Sequence, residues 1–185
     1  MDLRKTARER DLGWLAIFLG AAFGAAGVGG ALTAGSVGTW YRTIRRPAWN
    51  PPDWLFGPVW TLLYLMMGVS AWLVRRGMRE SPARLGTGPA ELSTDPAKLD
   101  AGRAALVAWT AQLALNVGWS AVFFGRRDIA GGLGTIAVLW AAIATTVGLT
   151  GRVSRRAALL LLPYLAWTSF AALLNYRIWQ LNQPR

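Results

Sequence analysis

Apolar and charged residues are sharply separated along this chain. Five segments contain no Asp, Glu, Lys or Arg, and each is long enough to cross a bilayer as a helix of about 20 residues. They run from Leu12 to Leu32, Trp54 to Val74, Ala104 to Gly125, Ile129 to Gly151 and Ala157 to Tyr176. The pattern therefore predicts an all-α integral membrane protein, a bundle of five transmembrane helices.

The alternative is a soluble protein whose five helices are all buried. The present chain is 54% hydrophobic and only 16% charged. Five uncharged segments in 185 residues leave too little polar surface to face water. The membrane interpretation is therefore strongly favoured.

The charged stretches divide the chain. Residues 1–11 form a charged N-terminal extension, residues 12–182 the five-span membrane domain, and residues 183–185 a short tail. Within the domain, residues 76–103 are rich in Pro, Gly, Ser and mixed charge, which predicts a long exposed loop. The connection from Thr33 to Asp53 carries aromatic residues that can lie across the bundle mouth, and Asn50 is placed to cap the second span.

The net charge of +11 does not indicate a nucleic-acid partner, because the arginines lie at the ends of the apolar segments and no reading motif accompanies them. Thirteen of the 20 Lys and Arg residues fall on the side of the N-terminus. The positive-inside rule then predicts a cytoplasmic N-terminus in a bacterial inner membrane.

The residue inventory narrows the chemistry. The chain has no Cys and no His, which excludes zinc sites of the usual kind and His-ligated haem, so no metal site and no required cofactor are predicted. No predicted span carries an ionisable acid or base at its middle, which argues against ion-coupled transport and against acid–base catalysis in the membrane.

Aromatic and amide residues recur at helical spacing inside three spans. Two amides in hydrocarbon need partners, so their stripe should face the bundle interior. Such stripes can line a flat apolar cavity or simply pack as an aromatic core, and periodicity alone leaves the two equally open. The stripes are Trp60 and Tyr64; Gln112, Asn116, Trp119 and Phe123; and Tyr164, Trp167, Ala171 and Leu174.

Three separated motifs resemble the TspO/MBR family, whose members include tryptophan-rich sensory proteins and translocator proteins (peripheral-type benzodiazepine receptors). In chain order they are RRPAWNPPDWLFGPVWTLLYLMMGVSAW, QLALNVGWSAVFFG and PYLAWTSFAALLNYRIWQLN. The likeness covers nearly the whole chain, from about Leu12 to Asn182.

The resemblance implies a five-helix bundle, commonly a homodimer, that binds porphyrins such as protoporphyrin IX. Carried over residue by residue, it places the ligand-binding pocket at Tyr41, Trp49, Trp60, Asn116, Trp119, Trp167, Phe170 and Ala171. It also makes Asn116 the polar anchor of that pocket, and the indoles of Trp60 and Trp167 candidates for light-dependent porphyrin breakdown.

The favoured function is thus a membrane tetrapyrrole-binding sensor or translocator-type protein in porphyrin homeostasis or stress response. A light-dependent porphyrin-degrading enzyme and a passive transporter of tetrapyrroles or other lipophilic molecules are the alternatives. The proposed sterol consensus of the family needs a spacer between Tyr176 and the following Arg, and that spacer is absent here, so tight sterol binding is not predicted. Ala16, Gly20 and Gly24 form a ridge of small residues for packing within the bundle or across a dimer.

Overall fold

The computed structural model describes residues 3–79 and 96–183, with side chains from Glu9 onward. In this part of the chain the regular structure is entirely helical. The elements are α1 (Leu3–Val37), α2 (Trp40–Thr43), α3 (Asp53–Arg79), α4 (Pro96–Ser120) with a π-helical end (Ala121–Gly125), α5 (Ile129–Gly151) and α6 (Arg155–Leu181).

Five of these helices are long and apolar enough to cross a membrane, which confirms the predicted fold class. They are longer than the uncharged segments, because α1 continues to Val37 and also takes in part of the charged extension. The predicted loop over residues 76–103 is helical at both ends, since α3 runs on to Arg79 and α4 begins at Pro96. Residues 80–95 of that loop lie outside the described residues.

The five long helices form a closed ring in the order α1, α3, α6, α5, α4. Short turns make α4, α5 and α6 antiparallel neighbours, as expected of brief connections. The central core takes side chains from all five helices and includes Ala22, Met67, Trp109, Ile143 and Tyr164, each at most 5% exposed. A second core cluster lies at the end of the bundle where α1 ends and α3 begins, and it joins Tyr41 to Phe123, Leu174 and Ile178.

The outer surface of the bundle is apolar. Large hydrophobic side chains such as Ile17, Val107 and Leu173 are more than half exposed. In water this surface would favour aggregation, but in a bilayer it faces lipid chains. The chain is therefore an integral membrane protein, with five candidate spans in the residues that the structure describes.

Local chemistry sets several helix ends. Asp128 caps α5 by accepting from the Gly131 amide at 2.8 Å, and Ser154 caps α6. Arg127, with φ at 58°, supplies the left-handed residue that reverses the chain between α4 and α5. The expected cap at Asn50 is wrong: α3 begins at Asp53, and the Asn50 side chain is used by Tyr41 in the preceding connection.

The ridge of small residues on α1 lies on the outside of the bundle. Ala16, Gly20 and Gly24 are exposed, and a Cβ added at either glycine would meet nothing within 4 Å. The prediction that this ridge packs within the bundle is therefore wrong, while its use across a dimer stays a prediction. The close approach of α1 is made elsewhere, where a Cβ on Gly68 would lie 2.7 Å from Leu19 Cδ2 and 3.1 Å from its Cα.

Candidate functional site

A cavity of about 600 Å³ lies between α1, α3, α4 and α6, next to the connection that joins α1 to α3. Its volume falls in the range of roughly 300–1,000 Å³ that is usual for small-molecule sites. The lining is mostly apolar and aromatic. It consists of Phe23, Ala26, Gly29, Gly30, Thr33, Ala34, Val37, Gly38, Tyr41, Asp53, Phe56, Gly57, Trp60, Thr61, Tyr64, Asn116, Trp119, Ser120, Phe124, Trp167 and Ala171.

Three indoles reach the cavity from three different helices: Trp60 from α3, Trp119 from α4 and Trp167 from α6. Each is held by other rings. Trp60 lies 5.5 Å from Tyr64 between ring centroids, Trp119 stacks on Phe123 at 5.4 Å, and Trp167 meets Phe56 edge-on at 5.9 Å. These contacts fix the indoles in place, so the cavity has preformed aromatic walls.

Asn116 joins three helices at the inner wall of the cavity. Its Oδ1 accepts a hydrogen bond from the Tyr64 hydroxyl at 2.6 Å, and its Nδ2 donates to the Tyr164 hydroxyl at 3.0 Å. The side chain is only 2% exposed. Its amide is thus already committed to two tyrosines, which makes Asn116 a structural link as well as a lining residue.

Charged and polar groups gather at the mouth of the cavity. The Arg46 guanidinium lies 3.6 Å from the Asp53 carboxylate and 4.9 Å from the centroid of the Tyr41 ring. The Tyr41 hydroxyl donates to Asn50 Oδ1 at 2.8 Å, and burial raises the pKa of this phenol above its usual value although Arg46 opposes the shift. Tyr41 is therefore a neutral donor at pH 7.

The connection over the cavity is tied to the far end of the chain. Asn182, just after α6, accepts from the Arg45 amide at 3.0 Å and donates to the Arg45 carbonyl at 2.9 Å. On α1, the Ser36 hydroxyl donates to the Phe124 carbonyl at 2.7 Å, beside the π-helical turn. The Asn182 bonds hold this connection against the end of α6, and the Ser36 bond joins α1 to the end of α4. Of the three aromatic residues predicted to lie across the bundle mouth, Tyr41 lines the cavity, whereas Trp40 and Trp49 pack outside its lining.

This combination of a five-helix bundle and a tryptophan-lined cavity agrees with the sequence motifs, and a family model described as the TspO/MBR family matches residues 16–180. The chain belongs to the TspO/MBR family. It is 41% identical to the tryptophan-rich protein TspO of Chlorobaculum tepidum, over 91% of this chain and 95% of that protein. It is 37% identical to the translocator protein of Bos taurus, over 85% and 83% of the two chains. A third relative, the tryptophan-rich protein TspO of Archaeoglobus fulgidus, is 36% identical over 83% and 87%.

In this TspO/MBR protein the cavity brings together six of the eight residues that the motifs assign to the pocket. They are Tyr41, Trp60, Asn116, Trp119, Trp167 and Ala171. The other two, Trp49 and Phe170, lie outside the lining. The ring centroid of Phe170 lies 5.4 Å from that of Trp167, and the ring centroid of Trp49 lies 5.8 Å from that of Phe170. Phe170 and Trp49 therefore form a layer behind the cavity wall.

Several lining residues were missed by sequence reasoning. Phe56 lies one turn before Trp60 on the same face of α3, so the aromatic stripe itself was a signal for it. Asp53 places a carboxylate at the cavity, and its position at the end of the predicted connection carried no signal for this. The wall supplied by α1 includes Phe23 and Gly30, and its uniformly apolar sequence carried no signal for either.

Gln112 belongs to the predicted stripe but not to the cavity lining. It is buried in the central core, where its Nε2 lies 3.7 Å from Met67 Sδ. Its Oε1 has no hydrogen-bond partner among the described residues. The stripe on α4 therefore divides: Asn116 and Trp119 line the cavity, Phe123 lies behind Trp119, and Gln112 is a core residue.

Proposed function

We propose that this protein binds a tetrapyrrole such as protoporphyrin IX in the aromatic cavity, as a sensor or translocator-type protein in porphyrin homeostasis or stress response. The observation that carries the proposal is the convergence of Trp60, Trp119 and Trp167 on one cavity of about 600 Å³. A porphyrin is a broad aromatic disc, and indoles stack on such a disc with offset or edge-on geometry.

The mouth of the cavity suits the carboxylates of such a ligand. Arg46 lies beside the cavity mouth and has planar N–H donors that match a propionate. Asp53 opposes a second carboxylate at the same place, because it lines the cavity and already pairs with Arg46. Binding would therefore exchange one partner of Arg46 for another. With neither His nor Cys in the chain, a metal-free porphyrin fits better than haem.

The test is a titration of the purified protein with protoporphyrin IX, followed by quenching of tryptophan fluorescence. Trp60→Ala should weaken binding at least about two- to thirteenfold, since it removes an aromatic pair that contributes about 0.5–1.5 kcal/mol beyond its buried area. Trp54→Ala is the matched control, because Trp54 lies on the same helix and is 72% exposed. Equal effects of the two substitutions would remove the cavity as the binding site.

A second candidate is light-dependent breakdown of the bound porphyrin. It is favoured by the presence of both Trp60 and Trp167 in the lining. An excited porphyrin could take one electron from an indole, which gives a porphyrin radical anion and an indole radical cation, and dissolved dioxygen would then be the oxidant that supplies the oxygen atoms for ring opening. Illumination of the complex should then bleach the porphyrin absorbance, and Trp167→Phe should slow this bleaching. The same rate in both proteins would exclude the Trp167 indole from the chemistry.

Passive transport of porphyrin is a third candidate function, which we rank below binding. Among the described residues, the buried polar side chains are Ser, Thr, Asn and Gln, with no buried acid or base to couple movement to an ion. Vesicles that contain the protein should therefore take up porphyrin without any dependence on a proton gradient. Faster uptake in the presence of a proton gradient would contradict a passive mechanism.

For the cellular setting we propose the inner membrane of a bacterial cell, with the N-terminus in the cytoplasm. The excess of Lys and Arg on the N-terminal side supports this orientation. The absence of cysteine makes the test direct. In intact cells, a membrane-impermeant thiol reagent should label Thr39→Cys in the first connection but not Ser154→Cys, and the reverse pattern would invert the topology.

A further inference from the structure

An arginine cluster lies at the end of the bundle opposite the cavity mouth. It is formed where the last turns of α3 meet the beginning of the membrane span of α1. Trp14 and Trp72 lie at the same level, as expected for the boundary between hydrocarbon and headgroups. The turn between α5 and α6 borders this end, since a Cβ on Gly77 would lie 3.1 Å from Val153.

Arg75 is held rigidly in this cluster. Its guanidinium carbon lies 3.6 Å from the centroid of the Trp14 ring, which is close face-on stacking. Trp14 is itself supported by Phe18 at 6.1 Å, and Phe18 meets the buried ring of Trp109 edge-on at 5.7 Å. A long side chain that would usually be mobile is thus fixed before any ligand arrives, which lowers the entropy cost of binding.

Among the described residues, the acid beside this cluster forms its ion pair with the neighbouring arginine. Asp11 lies 3.6 Å from Arg76, and the Asp11 carbonyl accepts from the Trp72 indole at 3.1 Å. Arg75 Nε, by contrast, is buried without a hydrogen-bond partner in the described part of the chain. The Asp11 carboxylate also attracts the Arg75 charge, but no ion pair joins these two residues, so the described residues compensate the cost of the partial desolvation of this guanidinium only in part. An anion at its outer edge would offset this cost because the charge is delocalised over the whole group.

We infer that this end of α3 is a binding site for the phosphate of an anionic phospholipid headgroup. Arg75 supplies the fixed planar donor, and Arg79 adds a second cation one turn further along the same helix face. The position at the end of two membrane spans favours a lipid over a soluble anion, because the acyl chains can then lie along the exposed apolar surface of α1.

Native mass spectrometry of the full chain tests this assignment, with phosphatidylglycerol or phosphatidylcholine added in detergent and inorganic phosphate in a parallel series. Phosphatidylglycerol should be retained at least about fivefold better than phosphatidylcholine, the effect expected of one interfacial arginine. Arg75→Gln should remove most of this preference and leave only what Arg79 contributes, and Arg75→Lys, which keeps the charge but not the planar stack, should reduce it less. Arg152→Gln is the control, since Arg152 is exposed at the same end.

Three results would overturn the site. They are a wild-type protein without preference for phosphatidylglycerol, an equal loss in the Arg152 and Arg75 variants, and displacement of the lipid by millimolar inorganic phosphate. The last would show a soluble-anion site. Circular dichroism of each variant checks that the helices are intact, and Trp14→Phe gives a second approach because it weakens the support of Arg75 without removing a charge.

Discussion

Asn116→Leu should uncouple three helices at the wall of the cavity. The substitution keeps the number and branching of the side-chain heavy atoms, so it tests mainly the hydrogen bonds. In the wild type, Asn116 accepts from Tyr64 at 2.6 Å and donates to Tyr164 at 3.0 Å. All three side chains are at most 5% exposed, so the groups that lose their partners have little access to solvent except through the cavity that Tyr64 and Asn116 line.

The magnitude follows from the two bonds and the groups left behind. A buried hydrogen bond contributes about 0.5–1.5 kcal/mol, and a buried hydroxyl without a partner costs about 1–3 kcal/mol. Interhelical bonds measured in a membrane protein average nearer ~0.6 kcal/mol. Between these limits we expect Asn116→Leu to lower the free energy of unfolding by about 2–3 kcal/mol.

Reversible unfolding in mixed micelles, followed by circular dichroism, measures this loss. Tyr64→Phe and Tyr164→Phe each remove one bond and should cost about 1 kcal/mol. A double-mutant cycle between Asn116→Leu and Tyr64→Phe should then show a coupling of about 0.5–1 kcal/mol. Porphyrin titration of the same variants separates the structural role of Asn116 from direct contact with a ligand.

Two results would refute the reasoning. If Asn116→Leu is as stable as the wild type, the two bonds do not hold the helices together. If its porphyrin affinity falls more than tenfold while that of Tyr64→Phe is unchanged, Asn116 binds the ligand directly and the tyrosine link is secondary.

Three further predictions concern packing and the cavity mouth. Gly68→Ala should destabilise the bundle by about 1–3 kcal/mol because its Cβ meets the backbone of Leu19, whereas Gly20→Ala, in open space, should not. Asn182→Ala removes two bonds that tie the first connection to α6, so hydrogen exchange over residues 40–50 should speed up severalfold. Asp53→Asn removes a carboxylate from the cavity and should raise the affinity for a dicarboxylic porphyrin up to about fivefold.

Each of these has a clear opposite outcome. A Gly68→Ala protein with wild-type stability would mean that α1 shifts at no cost. Unchanged exchange in Asn182→Ala would mean that other contacts hold the loop. Weaker porphyrin binding by Asp53→Asn would show that Asp53 orders Arg46 for the ligand instead of competing with it.

The five spans were readable from the sequence because the transfer of a helix into hydrocarbon depends on the residues of that helix alone. The turns between α4, α5 and α6 are also set by local chemistry, since Asp128 and Ser154 cap the helices that follow them. Part of the site was also readable, since Trp60 and Tyr64 are one turn apart and must share a face.

Tertiary structure alone decided how the helices face one another. It showed that α1 forms a wall of the cavity, that Asn116 is shared by two tyrosines from other helices, and that Asn182 reaches Arg45 across 137 residues of sequence. The physical reason is the solvent. Lipid chains are as apolar as the bundle core, so a span such as α1 is hydrophobic all round, and its sequence does not mark which side faces lipid and which faces the cavity.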